Sequence, residues 1–160
     1  MGAMGAMGAL GAMGAMGAMG AMGAMGAMGA IGAMGAIGAI GAVALGGALG
    51  SLARHGVNLA LAQGLGRPVP WATAAVNLIG SAAIGVLAGL LASERLTMAP
   101  TTRAFVFVGL LGGFTTFSSF MLDTLTLTHA GERTLAMSNV MGQTVLGLMA
   151  VYGGYYLAAH

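Results

Sequence analysis

The chain has no cysteine and no lysine, and it carries very little charge of either sign. Without cysteine, disulfides, thiolate metal sites and cysteine nucleophiles are excluded. Five arginines face three acidic residues, Glu94, Asp123 and Glu132. The resulting pI of about 9.7 does not indicate nucleic-acid binding, because the arginines form no cluster. His55, His129 and His160 are the three histidines. They lie far apart, and none has the spacing of a metal ligand set or a catalytic triad. No enzyme constellation is expected. Charged residues make up 5% of the chain and apolar ones 58%, whereas soluble domains carry roughly 25% charged residues. With a mean hydropathy of +0.95, the chain reads as one membrane domain.

The N-terminal part is a separate problem. A three-residue unit, mostly Met-Gly-Ala, repeats with glycine at every third position from Gly2 to Gly41. The period matches collagen, but proline is absent there, so a triple helix is ruled out. Glycine costs about 1 kcal/mol per helix position in water. The repeat also lacks the basic start of a secretory signal. Residues 1–37 are expected to be a low-complexity extension without function. It would arise from slippage in a repeated coding unit or from a start placed too early, with Met34 as one in-frame alternative. The competing reading is an added spanning or helix-pairing segment, since a bilayer forces backbone groups to pair internally.

Residues 38–160 read as four spans, at roughly 38–62, 70–92, 104–127 and 134–158. Each is close to the ~20 residues that cross a bilayer. Trp71, Tyr152, Tyr155 and Tyr156 sit near span ends, where amphipathic rings favour the interface. Gly46 with Gly50 and Gly85 with Gly89 have the spacing for close helix approach. Arg95 and Arg103 fall between spans two and three, and Arg67 and Arg133 in the loops on the opposite side. With Arg54 inside the first span, neither side holds an excess of positive charge. Since that excess sets orientation, the chain is expected to insert both ways, and oppositely inserted copies could pair about a two-fold axis.

The polar residues within the spans carry the chemistry. Asn77 has Thr73 and Ser81 four residues to either side on one helix face, Asn139 and Gln143 are four apart, and Asn58 follows Arg54 by four. Such residues can simply bind helices to one another. The stretch Gly112-Gly113-Phe114-Thr115-Thr116-Phe117-Ser118-Ser119-Phe120 is harder to explain that way. Adjacent glycines loosen a helix, and hydrocarbon penalises unpaired backbone and hydroxyls by several kcal/mol per group. All five phenylalanines lie between Phe105 and Phe120, and Phe114, Phe117 and Phe120 form a stripe. A lipid-facing or core stripe is the ordinary reading. Interleaved with hydroxyls, though, ring edges with partial positive charge would suit a small anion. The one acid within a span, Asp123, lies beyond the motif.

Three segments together resemble the Fluc/CrcB fluoride channels: Gly46-Gly47-Ala48-Leu49-Gly50-Ser51-Leu52-Ala53-Arg54, Asn77-Leu78-Ile79-Gly80-Ser81, and the 112–120 motif. The resemblance covers about residues 40–158. It implies an all-α membrane protein of four transmembrane helices with a broken third helix, assembled as an antiparallel dual-topology homodimer with two pores. It implies that the protein lets fluoride leave the cell passively, as a multi-pass protein of the inner or plasma membrane. Asn77 would donate to fluoride, and Phe117 and Phe120 would supply ring edges. Thr116, Ser118 and Ser119 would line the pore with hydroxyls, and Arg54 would sit in a polar vestibule. The carbonyls of Gly112 and Thr115 from both subunits would hold a central structural Na⁺. Two features depart from the family pattern: the Met-Gly-Ala extension, and Asp123 where glutamate is expected.

Fluoride is small and strongly hydrated, so a pore must replace its water with donors yet release it. Neutral amide, hydroxyl and ring-edge donors meet both demands. The alternative is a small four-span drug/proton antiporter, which needs a carboxylate in the membrane; the first span has none. A structural subunit without transport would leave the hydroxyl motif unexplained.

Overall fold

The computed structural model describes Gly32, residues 35–64 and residues 71–160. Most of the Met-Gly-Ala repeat therefore lies outside the described residues, as does the first loop with Arg67 and Pro70. Among the described residues there is no strand. Four helices are long and apolar enough to cross a membrane: Gly35–Gly64, Trp71–Ala92, Pro100–His129 and Arg133–Ala159. These are the first to fourth spans below. Residues Ala39–His160 form one compact unit.

Lipid offers no hydrophobic drive between helices, so small residues that let backbones meet carry the packing. Gly85 and Gly89 of the second span lie against the backbone of Val151 and Tyr155 in the fourth. Gly154 returns the contact, and a Cβ there would stand 2.7 Å from the Ala82 carbonyl oxygen. The first span meets the third in the same way. A Cβ on Gly46 would lie 2.5 Å from Phe105 O, and one on Gly50 would strike Leu110 O. The glycine spacings read from the sequence are thus packing seams between two helix pairs.

The third span starts earlier than the sequence suggests. Pro100 opens it, and Arg103 lies in its first turn rather than in a loop. Proline has no N–H to lose at the first helical position, and its φ is already helical. Residues Ala104–Leu111 then wind as a π-helix, with Gly112 N–H donating to Phe107 O. π-Helical turns are rare and recur at functional sites. The widened segment faces Gly46 and Gly50, where the backbones of the first and third spans meet.

The two described connections are short. Gly131, at φ +80°, turns the chain between the third and fourth spans, so His129 and Arg133 belong to helices. Between the second and third, Glu94 adopts φ +57°, a left-handed conformation that usually goes to glycine. Beside it, Arg95 donates to the carbonyls of Ala158 (3.3 Å) and His160 (3.0 Å). A cation thus closes the carbonyl end of the fourth helix, where the helix dipole favours it.

Candidate functional site

Past the π-helical segment, Gly112–Phe114 makes one more helical turn. Thr115 (φ −80°, ψ 158°) and Thr116 (φ −153°, ψ 116°) are then extended, and Phe117–His129 resumes as helix. Extended backbone inside a span leaves peptide groups that lipid cannot satisfy. Asn77, on the second span, takes up both of those of Thr116. Its Oδ1 accepts from Thr116 N–H at 2.8 Å, and its Nδ2 donates to Thr116 O at 3.1 Å. One side-chain amide therefore does for Thr116 what a neighbouring peptide would do.

Thr116 is also the N-cap of the resumed helix, the position where a hydroxyl best accepts from an open N–H. Its Oγ1 accepts from Ser119 N–H at 3.2 Å and donates to Ser119 Oγ at 3.2 Å. With that hydrogen spent, the 3.2 Å contact with Ser118 Oγ has Ser118 as donor. In an unbroken helix, Thr116 N–H and Ser119 N–H would meet the carbonyls of Gly112 and Thr115. Both donors are turned to side chains instead, so these two carbonyls lose their usual partners.

The rings differ in setting. Phe120 is buried, and Phe117 is 71% exposed. Their centroids are 5.7 Å apart and their planes 68° apart, an edge-on pair. A cleft of about 250 Å³ is lined by Asn77, Ser81, Ile84, Thr115, Thr116 and Phe117. The fold thus brings the Asn77 amide, the Ser81, Thr115 and Thr116 side chains and the Phe117 ring to one surface, while Ser118, Ser119 and Phe120 do not line it. Gly80, in the same segment, has Thr115 Cγ2 where a Cβ would be, so its lack of a side chain lets the second span reach the extended residues.

Not every sequence-predicted residue joins this cleft. Arg54 is half-buried on the first span and does not line it. Asp123 lies three residues past Phe120 and lines a different cavity of about 370 Å³ with His55, Asn58 and Thr73. There Asp123 Oδ2 and Asn58 Oδ1 are buried without a hydrogen-bond partner among the described residues. Asn139 and Gln143 are more involved than their four-residue spacing indicated. Asn77 Nδ2 donates to Gln143 Oε1 at 2.8 Å, Gln143 Nε2 to Asn139 Oδ1 at 2.8 Å, and Asn139 Nδ2 to Thr124 Oγ1 at 2.9 Å. The spacing showed that the two share a face; the partners across helices left no trace in it.

Four apolar helices with a cleft lined by an amide, hydroxyls and an aromatic ring define a multi-pass membrane protein with a polar site within its spans. The family model for CrcB-like protein, camphor resistance (CrcB), matches residues 41–155, and the chain belongs to that family. Curated relatives include a protein of Opitutus terrae, 49% identical over 117 residues, which cover 72% of this chain and 89% of the relative. One of Paracoccus denitrificans is 51% identical over 113 residues, covering 70% and 87%. One of Methylobacterium radiotolerans is 45% identical over 119 residues, covering 74% and 82%. Each is named a fluoride-specific ion channel, FluC.

Proposed function

We propose that this chain is a fluoride-selective channel through which fluoride leaves the cytoplasm passively, and that it is not an enzyme. The observation that carries the reading is the cleft itself. It gathers neutral polar groups and the Phe117 ring around Asn77 and has no charged side chain in its lining. Membership of a family whose relatives bear the fluoride-channel name supports it. No observation favours the antiporter.

In this reading the interruption at Thr115–Thr116 is functional, and the third span is a broken helix. Asn77 presents an N–H to the dehydrated ion. The edges of Phe117 and Phe120 face it along the path, and the hydroxyls of Thr116, Ser118 and Ser119 continue the polar lining. Arg54 raises the local anion concentration at a vestibule. The channel is an antiparallel, dual-topology homodimer in the inner or plasma membrane. The carbonyls of Gly112 and Thr115 fit a hard monovalent cation, since the donors that would normally satisfy them are bound elsewhere. These residues would hold Na⁺, which would supply a fixed positive charge at the subunit junction. Residues 38–160 constitute the channel domain, and residues 1–37 contribute nothing to it.

The test is fluoride efflux from liposomes containing the purified full chain, followed with a fluoride electrode. Efflux well above that of protein-free liposomes is expected. Background efflux from a correctly inserted protein would refute the reading.

A further inference from the structure

The amide chain beyond Asn77 has a single sense. Thr116 N–H can meet only an acceptor, so the atom before it, at 2.8 Å, is Asn77 Oδ1. Asn77 Nδ2 then faces Thr116 O, and Gln143 must present its oxygen to that nitrogen. This turns Gln143 Nε2 toward Asn139 Oδ1, and Asn139 Nδ2 toward Thr124 Oγ1. Thr124 passes its hydrogen to Phe120 O at 2.9 Å. Reversing Asn77 or Gln143 alone would set oxygen against oxygen, and reversing Asn139 alone would set its Nδ2 against Gln143 Nε2. The chain starts at Thr116 and ends at Phe120, spanning the second half of the motif.

An amide nitrogen has two hydrogens, and both on Asn77 are in use. One is committed to Thr116 O, where it repairs extended backbone. The other goes to Gln143 Oε1, on a side chain that can rotate. Any anion accepting from Asn77 must therefore exchange with the Gln143 oxygen.

We propose that Gln143 is a specificity-determining positioning residue whose amide oxygen is the resident acceptor that a passing anion must displace from Asn77. The proposal rests on Asn77 as the fluoride donor. Fluoride concentrates its charge on a small sphere and out-competes a neutral carbonyl for an N–H. Chloride is larger and more diffuse, accepts more weakly, and gains little from the exchange. The cost of displacing Gln143 is the same for both anions, so it discriminates by making the exchange uphill and rate-limiting for chloride while fluoride, the stronger acceptor, is limited elsewhere along the path. While displaced, it stays tied to Asn139 through Nε2, and it returns when the ion leaves.

The experiment compares fluoride and chloride efflux, with ion-selective electrodes, from liposomes holding the full-length wild type, Gln143→Met or Gln143→Asn. Methionine keeps the volume and removes the acceptor; asparagine keeps the amide one methylene short of contact. In both variants the fluoride-to-chloride flux ratio should fall about tenfold, the effect of losing one neutral hydrogen bond from the exchange, chiefly because chloride flux rises. An unchanged ratio in variants that elute as the wild type does would overturn the proposal, as would equal loss of both fluxes. A wild type that conducts no fluoride would instead sink the channel reading, and this inference with it.

Discussion

Asn77→Asp probes the backbone clasp and the ion contact together. Aspartate keeps an oxygen for Thr116 N–H at 2.8 Å. Its second oxygen replaces Nδ2 and comes to lie 3.1 Å from Thr116 O and 2.8 Å from Gln143 Oε1. Two donor–acceptor contacts become acceptor–acceptor contacts. Gln143 could turn its nitrogen toward the new carboxylate, but its oxygen would then face Asn139 Oδ1, now 2.8 Å from Nε2. With about 1–3 kcal/mol for each buried group left unpaired, the fold loses roughly 2–6 kcal/mol. The new charge also meets the anion directly. At an effective dielectric of about 20, two unit charges about 4 Å apart repel by about 4 kcal/mol, close to a thousandfold in rate. The expected outcome is a lower unfolding temperature in detergent and fluoride efflux near background in liposomes. Normal efflux would remove Asn77 from the ion path. Lost efflux with an unshifted unfolding transition would keep Asn77 in the path and refute the clasp.

Further outcomes concern assembly, the repeat and helix packing. Adding three lysines to the loop between the second and third spans should bias insertion to one orientation and abolish efflux, while co-expression of an oppositely biased copy should restore it; a biased copy that works alone would rule out antiparallel pairing. A chain starting at Met34 should match the full chain in efflux per dimer, because every residue given a role lies at Gly46 or beyond; a well-inserted short form that conducts much less would show that the repeat contributes. Gly50→Ala puts a Cβ into Leu110 O and within 2.8 Å of Phe114 N, and should destabilise the protein by about 1–3 kcal/mol through overpacking; unchanged thermal unfolding would contradict the seam between the first and third spans.

The spans were legible because hydropathy and length act on whole segments. The second and fourth helices fall within a residue of the expected bounds. The third span begins at Pro100 rather than near residue 104, because proline serves well as a first helical residue. The π-helical stretch Ala104–Leu111 left no mark, since its residues suit an α-helix just as well. At the site, the residue types were readable and the wiring was not. Asn77 stood out as an amide within a span, but its partners are the backbone atoms of Thr116, and a backbone atom has no letter in a sequence. The same holds for the cap from Thr116 to Ser119. Gln143 and Asn139 showed their shared face; that they face Asn77 and Thr124 depends on how three helices meet.

The Asn77–Thr116 pairing also bears on how the chain enters a bilayer. The two extended residues sit in one span, and the amide that satisfies Thr116 sits in the span made before it. A third span inserted alone would bring a bare N–H and C=O into hydrocarbon. Its entry is then favourable only with the second span alongside, so the two should leave the insertion machinery as a pair. Asn77→Leu should therefore lower membrane integration of the third span, read by a glycosylation site placed after it. Equal integration in the variant would mean that water or the insertion machinery shields Thr116 at that stage.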